Sequence, residues 1–273
     1  MSYDPTFYGG AAPYYLPGRP PYSSSLFDVV ARELQWDGTG HLLDVGCGPG
    51  VLAVLFAQGF DRVIGLDPDP AMLDEARRHA ANRGVTNVSW VQAVAEDGPS
   101  LGLPALRAAT FGQSFHWTDR DVVSEAIYDL LVPGGAIVLI APDIDAGPAP
   151  QGPGDPPIPH DEINEIIRRY LGPERRAGRG LAKLQPERYE DALKRTRFGA
   201  PRVLHTPGQA DLVRDVDGVI AGYLSMSYAA PHLFGARLDD FVGELGDLLS
   251  TRTPTGKFWD WPGDTAVLIG LKP

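Results

Sequence analysis

The sequence contains a single cysteine, Cys47, so no internal disulfide can form, which suits a reducing compartment. It lacks any apolar run near the roughly 18 residues that cross a bilayer. Met1 to Gly10 is polar and aromatic, without the basic-then-apolar pattern of an export signal. The expectation is a cytoplasmic protein with no membrane partner. Basic residues are also scarce: 24 Lys and Arg stand against 35 Asp and Glu, a formal net charge of −11. Nucleic-acid binding draws its affinity from cations that neutralise phosphates. The densest basic stretch, Arg168 to Arg195, is interrupted by Glu174, Glu187, Glu190 and Asp191, the pattern of a solvated helical surface. No nucleic-acid partner is expected, and the oligomeric state stays open. What the chain has in quantity is apolar side chains, 43% of 273 residues, enough for a sizeable core.

Hydrophobic periodicity divides the chain into four stretches. Residues 1–22 are rich in Tyr, Pro and Gly; the run Tyr14 to Tyr22 is expected to be non-helical, because proline lacks a donor and restricts its predecessor. It forms an N-terminal arm or lid. Residues 23–141 open with a helix from Ser23 to Leu34, then alternate strand and helix. Strands are expected at 41–45, 62–66, 88–92, 108–113 and 136–141, with helices at 51–58, 71–83 and 122–131. That alternation implies an α/β, doubly wound, mostly parallel sheet. Residues 142–260 begin with a Pro- and Gly-rich linker to Pro159. Helices follow at 161–170, 187–197, 212–225 and 237–249, with a strand near 202–205, and form a cap beside the sheet. Residues 261–273 carry a final strand, 265–271. The whole is expected to be one domain.

The stretch richest in chemistry is Leu42-Leu43-Asp44-Val45-Gly46-Cys47-Gly48-Pro49-Gly50, directly before a helix. A glycine turn at a strand end lets backbone amides approach a ligand. A dinucleotide fingerprint spaces its glycines G-x-G-x-x-G to suit a pyrophosphate. Here the spacing is G-x-G-x-G, and Asp44 beside it would repel a pyrophosphate but suit a cationic ligand such as S-adenosylmethionine. At the next strand end stands Asp67, placed to accept from both ribose hydroxyls. Pro68 follows, and Met72 offers a soft apolar surface to an adenine ring. After the third strand, Ala95-Glu96-Asp97 supplies an acid for the adenine amino group, with Glu96 and Asp97 both eligible.

These three elements resemble the glycine, ribose and adenine motifs of class I S-adenosylmethionine-dependent methyltransferases, over residues 26–141 and more weakly at the terminal strands. Phe111 to Arg120, containing Phe115-His116-Trp117-Thr118-Asp119, is similar to a signature of the branch that includes trans-aconitate methyltransferase. The resemblance implies a Rossmann-like sheet of seven strands, the last antiparallel. It also implies S-adenosyl-L-methionine as donor, S-adenosyl-L-homocysteine as product, and a small-molecule acceptor. Its cofactor contacts fall on Asp44, Gly46, Gly48, Gly50, Asp67, Pro68, Met72, Ala95, Glu96 and Ser114.

His116, at the end of the fourth strand, stands either as the base that takes an acceptor's proton or as pocket wall. Arg19 and Arg120 could hold an acceptor carboxylate, with Arg120 as a surface partner of Asp119 or Asp121 the favoured alternative. Trp117 stands on the acceptor side as wall or core, or as an aromatic face toward the sulfonium. Tyr14, Tyr15 and Tyr223 are further acceptor-side candidates, with helix core or a stapled N-terminus as the plainer alternatives. No metal is called for. The expected chemistry is direct in-line methyl transfer to oxygen, nitrogen or carbon; a non-methylating cyclase or regulator on the same fold is the alternative.

Overall fold

The computed structural model describes residues 4, 6–174, 176–178, 180–181 and 187–273. The readings made above for Met1–Gly10 and Arg168–Arg195 therefore fall partly outside the described residues. Seven strands form the central sheet: β1 (His41–Val45), β2 (Arg62–Asp67), β3 (Val88–Gln92), β4 (Leu106–Gly112), β5 (Leu131–Pro142), β6 (Arg202–Thr206) and β7 (Thr265–Leu271). Their order is 3-2-1-4-5-7-6; β7 is antiparallel to both its neighbours, and the pairs among β1 to β5 are parallel. The strand order reverses between β1 and β4. Ligands of such sheets bind outside the carboxyl ends at that crevice.

Alternation along the strands sorts the core into two faces. Ile137 and Leu139 of β5 join Ala266 and Leu268 of β7 on one face, beneath α5 (Arg120–Leu130) and α7 (Tyr189–Lys194). Val138, Ile140, Val267 and Ile269 face α2 (Leu26–Glu33) and α3 (Val51–Phe56). A separate apolar cluster, including Ile163, Ile167, Phe241 and Leu245, holds the cap together. It is built from α6 (His160–Leu171), α8 (Val216–Leu224) and α9 (Leu238–Arg252).

Two sequence expectations need correction. The run from Tyr14 does enter a helix, α1 (Ala12–Gly18). Pro13 lies in the first turn, where no amide partner is required, and Pro17 lies in the last, so the prolines remove little internal bonding. Packing does the rest: a Cβ on Gly18 would stand 2.4 Å from the Ala221 carbonyl, so α1 crosses α8 backbone to backbone. Residues 212–225 are not one helix either. Val213–Asp215 pairs antiparallel with Lys257–Trp259, and α8 starts at Val216, where Asp215 accepts from Gly218 N at 2.7 Å. A partner strand, Lys257–Trp259, far along the chain overrode the local helical pattern. The Pro-rich linker is irregular as expected up to α6, which starts one residue before Asp161.

Candidate active site

The turn after β1 owes its shape to three glycines in the left-handed region, at φ 63°, 52° and 76° for Gly46, Gly48 and Gly50. Their surroundings differ. A Cβ at Gly46 would lie 2.6 Å from Ser114 Cβ, and one at Gly50 would lie 2.5 Å from the Trp90 ring. At Gly48 a Cβ would meet nothing within 4 Å. Two glycines pack the turn against β4 and β3, and the middle one faces open space, as a turn that cradles a ligand requires.

Two buried carboxylates brace this turn. Asp44 accepts from Ala53 N at 3.0 Å and from Thr110 Oγ1 at 2.9 Å, tying β1 to α3 and β4. Burial pushes its pKa up to about 7. Asp67 accepts from Gly48 N at 2.8 Å and from Asp69 N at 2.9 Å, and burial raises it to about 6. Asp69 in turn caps α4 (Pro70–Asn82) through Ala71 N at 2.8 Å. The Cys47 thiol is pushed well up by burial and is no nucleophile.

A cleft of about 280 Å³ opens at the carboxyl ends of β1, β4 and β5. The glycine turn walls it on one side; Tyr15, Arg19 and Tyr22 of the arm and the loop before β7 wall it elsewhere. Arg19 donates to Ser225 O at 3.1 Å and lies over the Tyr15 ring. Its buried Nε has no partner among the described residues, and it is the one cation among those that line the cleft.

The expected site residues separate into groups. Asp44, Gly46, Tyr15 and Arg19 line the cleft, and Gly48, Gly50 and Asp67 adjoin it. Met72 is 3% exposed, covered by Ala11, Ala12 and Ala230. Pro68 O accepts from Gln92, Ser114 Oγ donates to Val45 O, and Glu96 accepts from Asp119 N at 2.9 Å ahead of α5. Ala95 packs on the core beneath α5. Tyr14 and Tyr223 sit in the cap core, where Tyr223 meets His160 at 2.6 Å.

His116, Trp117 and Arg120 lie outside the cleft wall. His116 Nδ1 and the Tyr189 hydroxyl are 2.9 Å apart, and burial lowers its pKa to about 4. Arg120 is 4% exposed, donates to Glu187 O at 2.8 Å, and stacks over Phe115 and Tyr189. Trp117 receives Phe7 and Tyr8 of the arm. Tyr22, which with Tyr14 and Tyr15 could form a lid over donor and acceptor or staple the N-terminus, is on the wall; Gln113 and Asp264 are among the wall residues that the sequence did not single out. Gln113 holds φ 53° without being glycine, a strained conformation that concentrates at functional sites. No local pattern announces it; Asp264 offered only a turn signal, Pro-Gly-Asp, before the last strand.

The strand order and the glycine turn support a class I S-adenosylmethionine-dependent methyltransferase, and the similarities to known proteins point the same way. Residues 42–135 match the methyltransferase domain family. A 2-heptyl-1-hydroxyquinolin-4(1H)-one methyltransferase of Mycobacteroides abscessus is 29% identical over 167 residues, 60% of this chain and 73% of that protein. The trans-aconitate 2-methyltransferase of Delftia acidovorans is 30% identical over 109 residues; the match spans 38% of each chain. In fold, the chain is similar to a methyltransferase from Thiobacillus denitrificans solved with S-adenosyl-L-homocysteine, with TM-score 0.51 over 97% of both chains at 14% identity.

The residues present fit S-adenosylmethionine as cofactor. The open face at Gly48 admits the donor's backbone, Asp67 offers carboxylate oxygens at the β2 end, and Arg19 supplies the cation that a carboxylate needs. Among the described residues no helix is long and apolar enough to cross a membrane, and no cluster of His, Cys, Asp and Glu could hold a metal.

Proposed function

We propose that the chain transfers the donor's methyl to a small-molecule acceptor by direct in-line displacement. The observation that carries this reading is the single cleft shared by the glycine turn, Arg19 and the loop before β7. The bound donor supplies a methyl group already activated by positive sulfur. The protein's task is then alignment and exclusion of water. Asp67 holds the ribose hydroxyls, Asp44 keeps the turn in register with α3, and Arg19 receives a carboxylate, the donor's own or an acceptor's. Contact between Met72 and adenine requires the arm to shift, since Ala11 and Ala12 cover it. The relatives are named for a hydroxyquinolinone and for trans-aconitate, both small molecules, which supports a small acceptor.

His116 is assigned to shaping the site rather than to proton transfer, because Tyr189 engages its Nδ1 and it is off the wall. The experiment is transfer of labelled methyl from S-adenosylmethionine to a panel of carboxylic acids, phenols, alcohols and amines. Label in at least one class is expected, and His116→Gln should change that turnover by less than about threefold, far below the 10²- to 10⁴-fold that a general base contributes. Tight binding of S-adenosylhomocysteine with no label in any class would point to a non-methylating use of the fold.

A further inference from the structure

One acid on the cleft wall is held in place by two loops. Asp264 precedes β7 and lines the cleft with Pro142, Met226 and Pro262. Its Oδ1 accepts from Gly208 N at 2.9 Å, and its backbone carbonyl accepts from Asp143 N at 2.8 Å. The side-chain bond requires glycine at 208, because a Cβ there would lie 2.2 Å from the Gly263 carbonyl oxygen. The two loops touch backbone to backbone, which fixes the carboxylate's direction. Its second oxygen has no hydrogen-bond partner among the described residues, and no Lys or Arg among them pairs with it. Pro142, Met226, Pro262, Gly263 and Thr265 line the same cleft, and a half-buried carboxylate oxygen left idle there can take a cation or an N–H donor.

We propose that Asp264 binds the acceptor and that the acceptor presents a basic nitrogen, the atom to be methylated. This rests on the methyltransferase reading above. In the step, the bound ammonium first gives one proton to water. The lone pair so freed forms the N–C bond while the C–S bond breaks and its electrons return to sulfur, and the methylated nitrogen stays cationic, paired with the Asp264 carboxylate. Arg19, on the same wall, is left for a carboxylate, so the cleft sorts its two ligands by charge.

The test uses the full chain saturated with S-adenosylhomocysteine, titrated calorimetrically with tryptamine and with indole-3-acetate, which share a ring and differ in side-chain charge. Tryptamine should bind at least about tenfold more tightly, the effect of one charge-assisted contact. Asp264→Asn, which keeps an acceptor for Gly208 N, should abolish that preference while S-adenosylhomocysteine affinity stays within about twofold. Equal binding, preference for indole-3-acetate, binding of neither, or a preference that survives in Asp264→Asn would each overturn the proposal. If the unsubstituted chain does not bind S-adenosylhomocysteine, the methyltransferase reading falls first and this one with it.

Discussion

The donor end of the cleft and its opposite wall are built by different means. The turn from Asp44 to Gly50 is assembled from residues within one strand–turn–helix unit, and its braces come from the next strand ends, at Asp67 and Thr110. The opposite wall joins segments far apart in the chain: Gly18, beside Arg19, to Gly222, and Gly208 to Asp264. Short-range order leaves a pattern in the sequence. Long-range order leaves single residues whose purpose shows only once the partner is known.

That contrast explains what was legible. β1, β3 and β7 fall where hydrophobic periodicity places them, and the glycine spacing with Asp67 in step points to the donor. Helical spacing could not show that Val213–Asp215 would find Lys257–Trp259, nor that two prolines would sit harmlessly at the ends of α1. Among candidate site residues, Arg19 and Arg120 looked equivalent in sequence. Packing separates them: Arg120 is buried between Phe115 and Tyr189 with Glu187 beside it, while Arg19 reaches the cleft without an acid.

The largest effect is expected at the donor end. On the proposed function Asp67 accepts from two ribose hydroxyls, so Asp67→Ala removes two charged hydrogen bonds, each contributing about 1.5–3 kcal/mol. S-adenosylhomocysteine affinity should fall about 100-fold or more by calorimetry. Asp67→Asn, which keeps one oxygen, should lose about tenfold. An unchanged dissociation constant in Asp67→Ala would remove this residue from the donor site.

A smaller effect is expected at the cap. In Gly18→Val the new side chain meets the backbone of Ala221 and Gly222, which cannot rotate away. Overpacking of this kind costs about 1–3 kcal/mol, or a Tm lower by a few degrees for a chain of this size. Limited proteolysis should then cut within residues 12–22, ahead of the sheet. A Tm equal to that of the unsubstituted chain, with the arm still protected, would show that α1 and α8 do not dock as described.

The last effect sharpens the comparison through pH. Burial raises Asp44 to about 7 and Asp67 to about 6, against about 3.9 for an unfolded aspartate. Between these limits the folded chain holds protons that the unfolded chain has released. Stability therefore declines as pH rises: the contribution is complete below about pH 4 and is lost through pH 6 to 7. Donor affinity should move the other way, because the ribose hydroxyls donate best to an ionised Asp67, so S-adenosylhomocysteine binds more tightly at pH 7 than at pH 5. Asp44→Asn should flatten the decline in Tm between pH 5 and 8 and leave the pH dependence of binding in place. Gly18→Val, remote from both acids, should lower Tm by a similar amount at every pH in that range. Parallel Tm profiles for Asp44→Asn and the unsubstituted chain would mean that Asp44 does not titrate there, and would leave Asp67 as the titrating acid of the donor end.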